Sequence, residues 1–136
     1  MRPRADSPLE HLVYLSIARP ELDAVDVRAI LGSAQIRNRR RDVTGILLFT
    51  GRHFVQVLEG RSADLEDLLQ VILSDARHGG LTIMSRTTIS QRRYGAWAMA
   101  FIESLDDADA VDELFLDPDF ARARLQGILE RAARGL

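Results

Sequence analysis

The stretch Phe54-Val55-Gln56-Val57-Leu58-Glu59-Gly60 decides how this chain folds. Its residues alternate as in a β-strand, with Phe54, Gln56 and Leu58 on one face and Val55 and Val57 on the other. Both faces are apolar apart from Gln56, so the strand needs cover on both sides. Gln56 is then expected within hydrocarbon, carrying two amide donors and a carbonyl acceptor that require partners. Two readings stand at this point: a structural glutamine bonded to backbone, or an amide that hydrogen-bonds a bound polar heterocycle.

Working outward, residues 11–18 alternate in the same way, with Leu12, Tyr14 and Ser16 opposed to Val13, Leu15 and Ile17. This predicts a first strand, broken by Pro20. From Glu21 the pattern turns helical, with Leu22, Val25, Ala29, Ile30, Ser33 and Ile36 on one stripe as far as Arg37 or Asn38. Arg39-Arg40-Arg41-Asp42 reads as a solvated turn. Residues 43–50 form strand two, and Gly51-Arg52 connects it to strand three as an antiparallel hairpin. Ser62 suits an N-cap for a second helix, whose stripe is Leu65, Leu68, Leu69, Ile72 and Leu73 and whose end is Gly79-Gly80. A fourth strand falls within residues 81–90 and a fifth at 97–103.

The order predicts an α+β ferredoxin-like βαββαββ sandwich with two helices on one sheet face. The other face is apolar too. The tail supplies its cover: Val111, Leu114 and Phe115 form one stripe, and a last helix from Asp117-Pro118 carries Ala121, Leu125, Ile128, Leu129 and Ala132. The expected organisation is a loose lead-in at 1–10, one domain at 11–103, and a C-terminal helical cap at 104–136.

Composition narrows the chemistry. The chain has 136 residues and no cysteine, which excludes thiolate nucleophiles, iron–sulfur ligation and disulfides. All 18 basic residues are arginine, so Schiff-base chemistry and a P-loop lysine are absent. His11, His53 and His78 lack metal-ligand spacing. A net charge of −2 argues against a general nucleic-acid binder. No apolar run follows the N-terminal arginines and none is long enough to span a bilayer, so neither signal peptide nor membrane span is expected, and the expected location is the cytoplasm.

Strands one and three are neighbours in the centre of a ferredoxin-like sheet, which brings Tyr14 towards Gln56. Asn38 ends the first helix, and Asp75, Arg77 and His78 close the second, so polar groups from both helices can meet around a ligand. Singly, these residues also read as a C-cap, helix-terminal cations and a solvated charge. Trp97 and Met99, two residues apart, are expected to share a strand face.

Five ordered blocks together resemble the BLUF domains, blue-light sensors that use flavin. They are Leu12-Val13-Tyr14-Leu15-Ser16; Asn38 followed by Asp42-Val43-Thr44-Gly45-Ile46-Leu47-Leu48; the strand from Phe54 to Gly60; Asp75-Ala76-Arg77-His78; and Tyr94-Gly95-Ala96-Trp97-Ala98-Met99. The resemblance covers residues 10–103. It implies a flavin ring between the two helices, with Tyr14 giving an electron and a proton to the excited flavin and Gln56 bridging Tyr14 to its N5 and C4 carbonyl. It further implies that Asn38 and Arg77 bond the pyrimidine edge and that Ile30 and Ile72 contact the ring. Asp75 and His78 would lie near the ribityl chain or ring, and Trp97 and Met99 would relay the signal. The implied cofactor is FAD, with FMN or riboflavin as alternatives, bound without a covalent link.

Ala34 stands where many members have serine, Ala98 interrupts the common Trp-Ser-Met, and Arg37 precedes Asn38. The resemblance implies a switch rather than an enzyme, acting on a separate downstream protein and forming a homo-oligomer, a dimer. The competing reading is a flavin-free interaction module of the same fold. An acylphosphatase-like hydrolase lacks its phosphate loop here, and a sheet-surface RNA binder lacks exposed aromatics on a basic face.

Overall fold

The computed structural model describes residues 7–76, 78–116 and 118–135, with the side chains of 78 and 118–122 excepted. Five strands form one sheet: β1 (Leu9–Ala18), β2 (Thr44–Phe49), β3 (His53–Arg61), β4 (His78–Thr88) and β5 (Ala100–Glu103). Four helices accompany it: α1 (Ala24–Arg40), α2 (Ser62–Leu73), α3 (Ala108–Leu116) and α4 (Pro118–Ala133). The strand order is β4-β1-β3-β2-β5, the ferredoxin-like arrangement with one strand added beside β2. β1 runs antiparallel to β3 and β4, β2 antiparallel to β3, and β5 parallel to β2.

The alternation in β3 sorts the core into two layers. Phe54 and Leu58 join Leu12, Tyr14 and Leu47 beneath α1 and α2, where Ile30, Ala34, Leu65, Leu68 and Ile72 close the inner layer. Val55 and Val57 join Val13, Leu15, Ile46 and Leu48 on the outer face. There Val111 and Leu114 of α3 and Leu125, Ile128 and Leu129 of α4 cover the sheet. The tail thus completes the core. It is also tied by polar contacts: His53 Nε2 lies 2.6 Å from Asp112 Oδ1, and its Nδ1 lies 2.8 Å from Thr50 Oγ1.

Several local expectations are corrected. α1 starts at Ala24 because Asp23 caps it, accepting from Asp26 N–H while the Asp26 side chain accepts from Asp23 N–H. Its buried stripe is Val27, Ile30, Ala34 and Asn38, and Val25 and Ile36 are exposed. Ending the stripe on the amide of Asn38 shifts its phase away from the most apolar choice. Ser62 is the first residue of α2 rather than its N-cap; Arg61 takes that place without a side-chain bond. α2 stops at Leu73, which is exposed, and Gly79-Gly80 belong to β4. At Gly80 a φ of +59° is accommodated by the missing side chain. β5 is four residues long and begins at Ala100, after Trp97 and Met99.

Ala121 falls outside the residues whose side chains are described.

Candidate functional site

Tyr14 and Gln56 are directly opposite each other on β1 and β3, the central pair of the sheet. Both point to the inner face and both are buried, 2% and 4% exposed. They line a cleft whose walls come from α1 (Ile30, Ala34, Arg37), the sheet (Leu47, Phe54), Ile72 of α2 and Asp75 just beyond it. The helices pack over the sheet on their apolar stripes, and this cleft combines a phenol, an amide and charged groups on the inner face.

The polar groups are unevenly satisfied. Gln56 Nε2 donates only to Met99 Sδ at 3.8 Å, a weak acceptor, so its described partner is a thioether and not Tyr14. Ser16, on the same strand face two residues from Tyr14, is fully buried and its Oγ has no hydrogen-bond partner. A buried hydroxyl without a partner costs on the order of 1–3 kcal/mol. Burial pushes the Tyr14 phenol well above its usual range; Arg37 opposes this and Asp75 adds to it. The phenol is therefore neutral at physiological pH and keeps its proton until something else changes its charge.

These groups suit a planar ring with apolar faces and a polar edge. Ile30, Ile72, Leu47 and Phe54 offer hydrocarbon to the faces, while the Gln56 amide, Arg37 and Asp75 line the same cleft with polar groups that suit an edge. The cleft holds about 10 Å³ of cavity. A cavity of about 320 Å³ lies on the opposite side of the sheet, between β4 and α4, but the Tyr14–Gln56 pair does not line it. Chemistry, rather than size, picks the inner cleft.

Of the residues singled out from the sequence, Tyr14, Gln56, Ile30, Ile72 and Asp75 meet in this cleft. Asn38 does not line it: buried at the end of α1, it donates through Nδ2 to the Ala98 carbonyl at 2.6 Å. Arg77 and the side chain of His78 lie outside the described residues.

Trp97 and Met99 do not share a face. Met99 is buried in the inner layer beside Gln56, and Trp97 packs against the outer layer. The reason is that residues 97–99 precede β5. Gly45 N–H donates to the Trp97 carbonyl, and the Asn38 side chain takes the next carbonyl, so strand alternation does not apply there. Arg37 was legible only as the residue before Asn38. Its spacing of three from Ala34 and seven from Ile30 places it on the cleft-facing stripe.

A family model described as BLUF, sensors of blue-light using FAD, matches residues 9–100. The chain belongs to the BLUF family. BLUF proteins are flavin-using blue-light sensors, and the Tyr14–Gln56 pair stands in the cleft where the resemblance places the ring. The chain is 30% identical over 118 residues to the blue light- and temperature-regulated antirepressor BluF of Escherichia coli K12, covering 86% of this chain and 29% of that protein. It is 35% identical over 95 residues to the photoactivated adenylate cyclase subunit beta of Euglena longa, covering 69% and 11%. The dark-state structure of BlrB, a BLUF protein, superimposes with a TM-score of 0.76 at 30% identity, covering 88% of this chain and 92% of that one. The chain thus spans less than a third of these two curated relatives. Among the described residues no helix is long and apolar enough to cross a membrane, and no cluster of three or more His, Asp or Glu could hold a metal.

Proposed function

We propose that this BLUF chain is a light-operated switch without enzymatic turnover, that it binds FAD in the cleft between α1 and α2, and that Tyr14 and Gln56 convert absorption into a hydrogen-bond change. The observation that carries the reading is the cross-strand placement of Tyr14 against Gln56, both buried in one cleft.

An excited flavin, when bound, supplies a one-electron oxidant followed by a proton acceptor. The Tyr14 side chain provides what such a partner takes. Its phenol is kept neutral by burial, so it loses its proton only after it has lost an electron. Gln56 then responds. Its amide exchanges donor and acceptor roles by rotation or tautomerism, and its weak bond to Met99 Sδ is easily given up. Asn38 lies outside the cleft lining with its Nδ2 held by the Ala98 carbonyl, so its assignment to the pyrimidine edge rests on the family resemblance. Ile30 and Ile72 would contact the ring faces, Arg77 its pyrimidine edge, and Asp75 and His78 the ribityl chain or ring.

Output, on this reading, passes from the sensor at 11–103 through Trp97 and Met99 to the cap at 104–136, and from there to a separate protein. Their positions support it: Met99 touches Gln56 while Trp97 packs against the layer that α3 and α4 cover. We further place the protein in the cytoplasm as a homodimer, which light scattering on the purified chain checks.

The test is spectroscopic. The purified chain should be yellow and release FAD, rather than FMN or riboflavin, on denaturation. Blue light should produce a small reversible red shift. Tyr14→Phe and Gln56→Leu, which keep volume but remove the hydroxyl and the amide, should bind flavin and lose the shift. A normal light cycle in Gln56→Leu would refute the mechanism.

A further inference from the structure

Residues 91–99, within the connection from β4 (ending at Thr88) to β5 (starting at Ala100), carry both Trp97 and Met99. Side-chain hydrogen bonds tie this connection to the body of the domain at both ends. At its far end Asn38 donates to the Ala98 carbonyl at 2.6 Å and Gln35 to the Met99 carbonyl at 3.2 Å. At its near end the Arg92 guanidinium reaches the Thr44 hydroxyl, the Glu59 carbonyl and the Asp42 carbonyl, all within 2.9 Å.

The remaining anchor is a carboxylate. Glu59 is 0% exposed. One oxygen accepts the Tyr94 N–H at 2.7 Å; the other accepts the Arg93 N–H at 3.1 Å and lies 2.8 Å from His11 Nδ1. Removing a carboxylate from water costs several kcal/mol unless donors replace the water, and an apolar side chain of similar volume would avoid that cost. Here the donors are two consecutive backbone N–H groups of the connection itself, so the carboxylate fixes a backbone position rather than a side chain. Glu59 also stands three residues after Gln56 on the same strand, on the opposite face. β3 therefore touches the 91–99 connection twice: through Gln56 at Met99, and through Glu59 at Arg93 and Tyr94.

We infer that Glu59 is a positioning residue for the light reaction: its carboxylate fixes the start of the 91–99 connection and so sets how Met99 meets Gln56 and how Trp97 meets the cap. The inference rests on the photoreceptor reading only for its kinetic consequence.

Trp97 is the sole tryptophan, so its fluorescence reports on this connection alone. Glu59→Gln keeps the shape but turns one acceptor into a donor that faces a donor. In the flavin-loaded full chain this variant should keep the dark absorption maximum and the size of the light shift, because Glu59 does not line the cleft. Acrylamide quenching of Trp97 should rise about twofold, and dark recovery should change on the order of threefold or more. A folded Glu59→Gln with unchanged quenching and unchanged recovery overturns the inference. Hydrogen exchange on the unsubstituted protein tests it without a variant: the Arg93 and Tyr94 amides should exchange roughly 100-fold more slowly than those of Gly95 and Ala96. Equal exchange overturns it. Absence of any light shift in the unsubstituted protein would instead refute the photoreceptor reading, and the quenching and exchange results would still decide the anchor.

Discussion

Replacing Leu114 by alanine tests whether the C-terminal helices share one core with the sheet. Leu114 on α3 is 1% exposed and belongs to the same cluster as Val13, Leu15, Ile46, Leu48, Val55 and Val57. Shortening it removes three buried carbons and leaves a cavity against strands that cannot collapse into it, a loss of about 3 kcal/mol for a leucine so fully enclosed. In a chain of this size each kcal/mol moves the midpoint by roughly 3–4 °C, so Tm should fall by about 10 °C. The assay follows helix content by circular dichroism and Trp97 by fluorescence in the same melt. If the cap completes the core, both probes shift together in one transition. Leu116→Ala is the matched control: at 85% exposed, two residues along the same helix, it should move stability by less than about 0.5 kcal/mol. Were the cap an independent appendage, Leu114→Ala would melt the helical signal early and leave the Trp97 transition in place. That outcome would refute a shared core.

Three further outcomes follow from particular contacts. Gly45→Ala would place a methyl carbon 1.9 Å from the Val57 carbonyl oxygen of the central strand, which cannot withdraw; the variant should lose more than about 3 kcal/mol, and a wild-type Tm would contradict the packing. Burial alone would raise the Glu59 carboxyl, but hydrogen bonds from His11 and from the Tyr94 and Arg93 N–H groups together hold it below its ordinary 4.5. Its folded value being the lower one, its contribution is present above about pH 4.5 and is lost as pH falls through the folded value. Urea midpoints of wild type and Glu59→Gln should therefore converge on acidification; curves that stay parallel would contradict the assignment. For Tyr14 the sign reverses: burial raises the phenol above 10, so folding favours its neutral form, and that contribution is present below pH 10 and lost above it. Difference absorbance at 295 nm between wild type and Tyr14→Phe should show no phenolate from Tyr14 at about pH 10.5 while the protein stays folded.

The sheet was legible because β3 alternates without a gap and must be covered on both faces, and because the tail offers the stripe that the outer face lacks. Boundaries failed where a polar residue does the work of an apolar one. The buried stripe of α1 ends on Asn38, so counting only apolar residues picked Val25 and Ile36, which face water. Gly79-Gly80 looked like a helix stop, yet both lie in the edge strand β4, where Gly79 pairs with Ile17. The site divides in the same way. Tyr14 and Gln56 follow from strand position alone, since register places them opposite each other. The separation of Trp97 from Met99 does not, because it depends on Asn38 taking the Ala98 carbonyl from 60 residues away.

That last bond shows how the two faces of the sheet are joined. Strand periodicity would place residues 97, 99 and 101 on one face, and from Met99 onward it holds: Met99 and Phe101 lie inward, Ala100 and Ile102 outward. Because the Ala98 carbonyl is engaged by a side chain of α1, the backbone bends before the ladder begins, and Trp97 swings to the outer layer while Met99 stays inside. One three-residue segment therefore touches Gln56 on one side and the layer beneath α3 and α4 on the other. An apolar strand running straight through would bury both side chains on the same face and leave the outer layer without a contact that depends on the inner one. The polar anchors Asn38, Arg92 and Glu59 hold the segment in this crossed arrangement. Hydrogen bonds to fixed backbone groups define a place without the volume matching that packed hydrocarbon demands, and they re-form after a shift of an ångström or two where interdigitated side chains would resist.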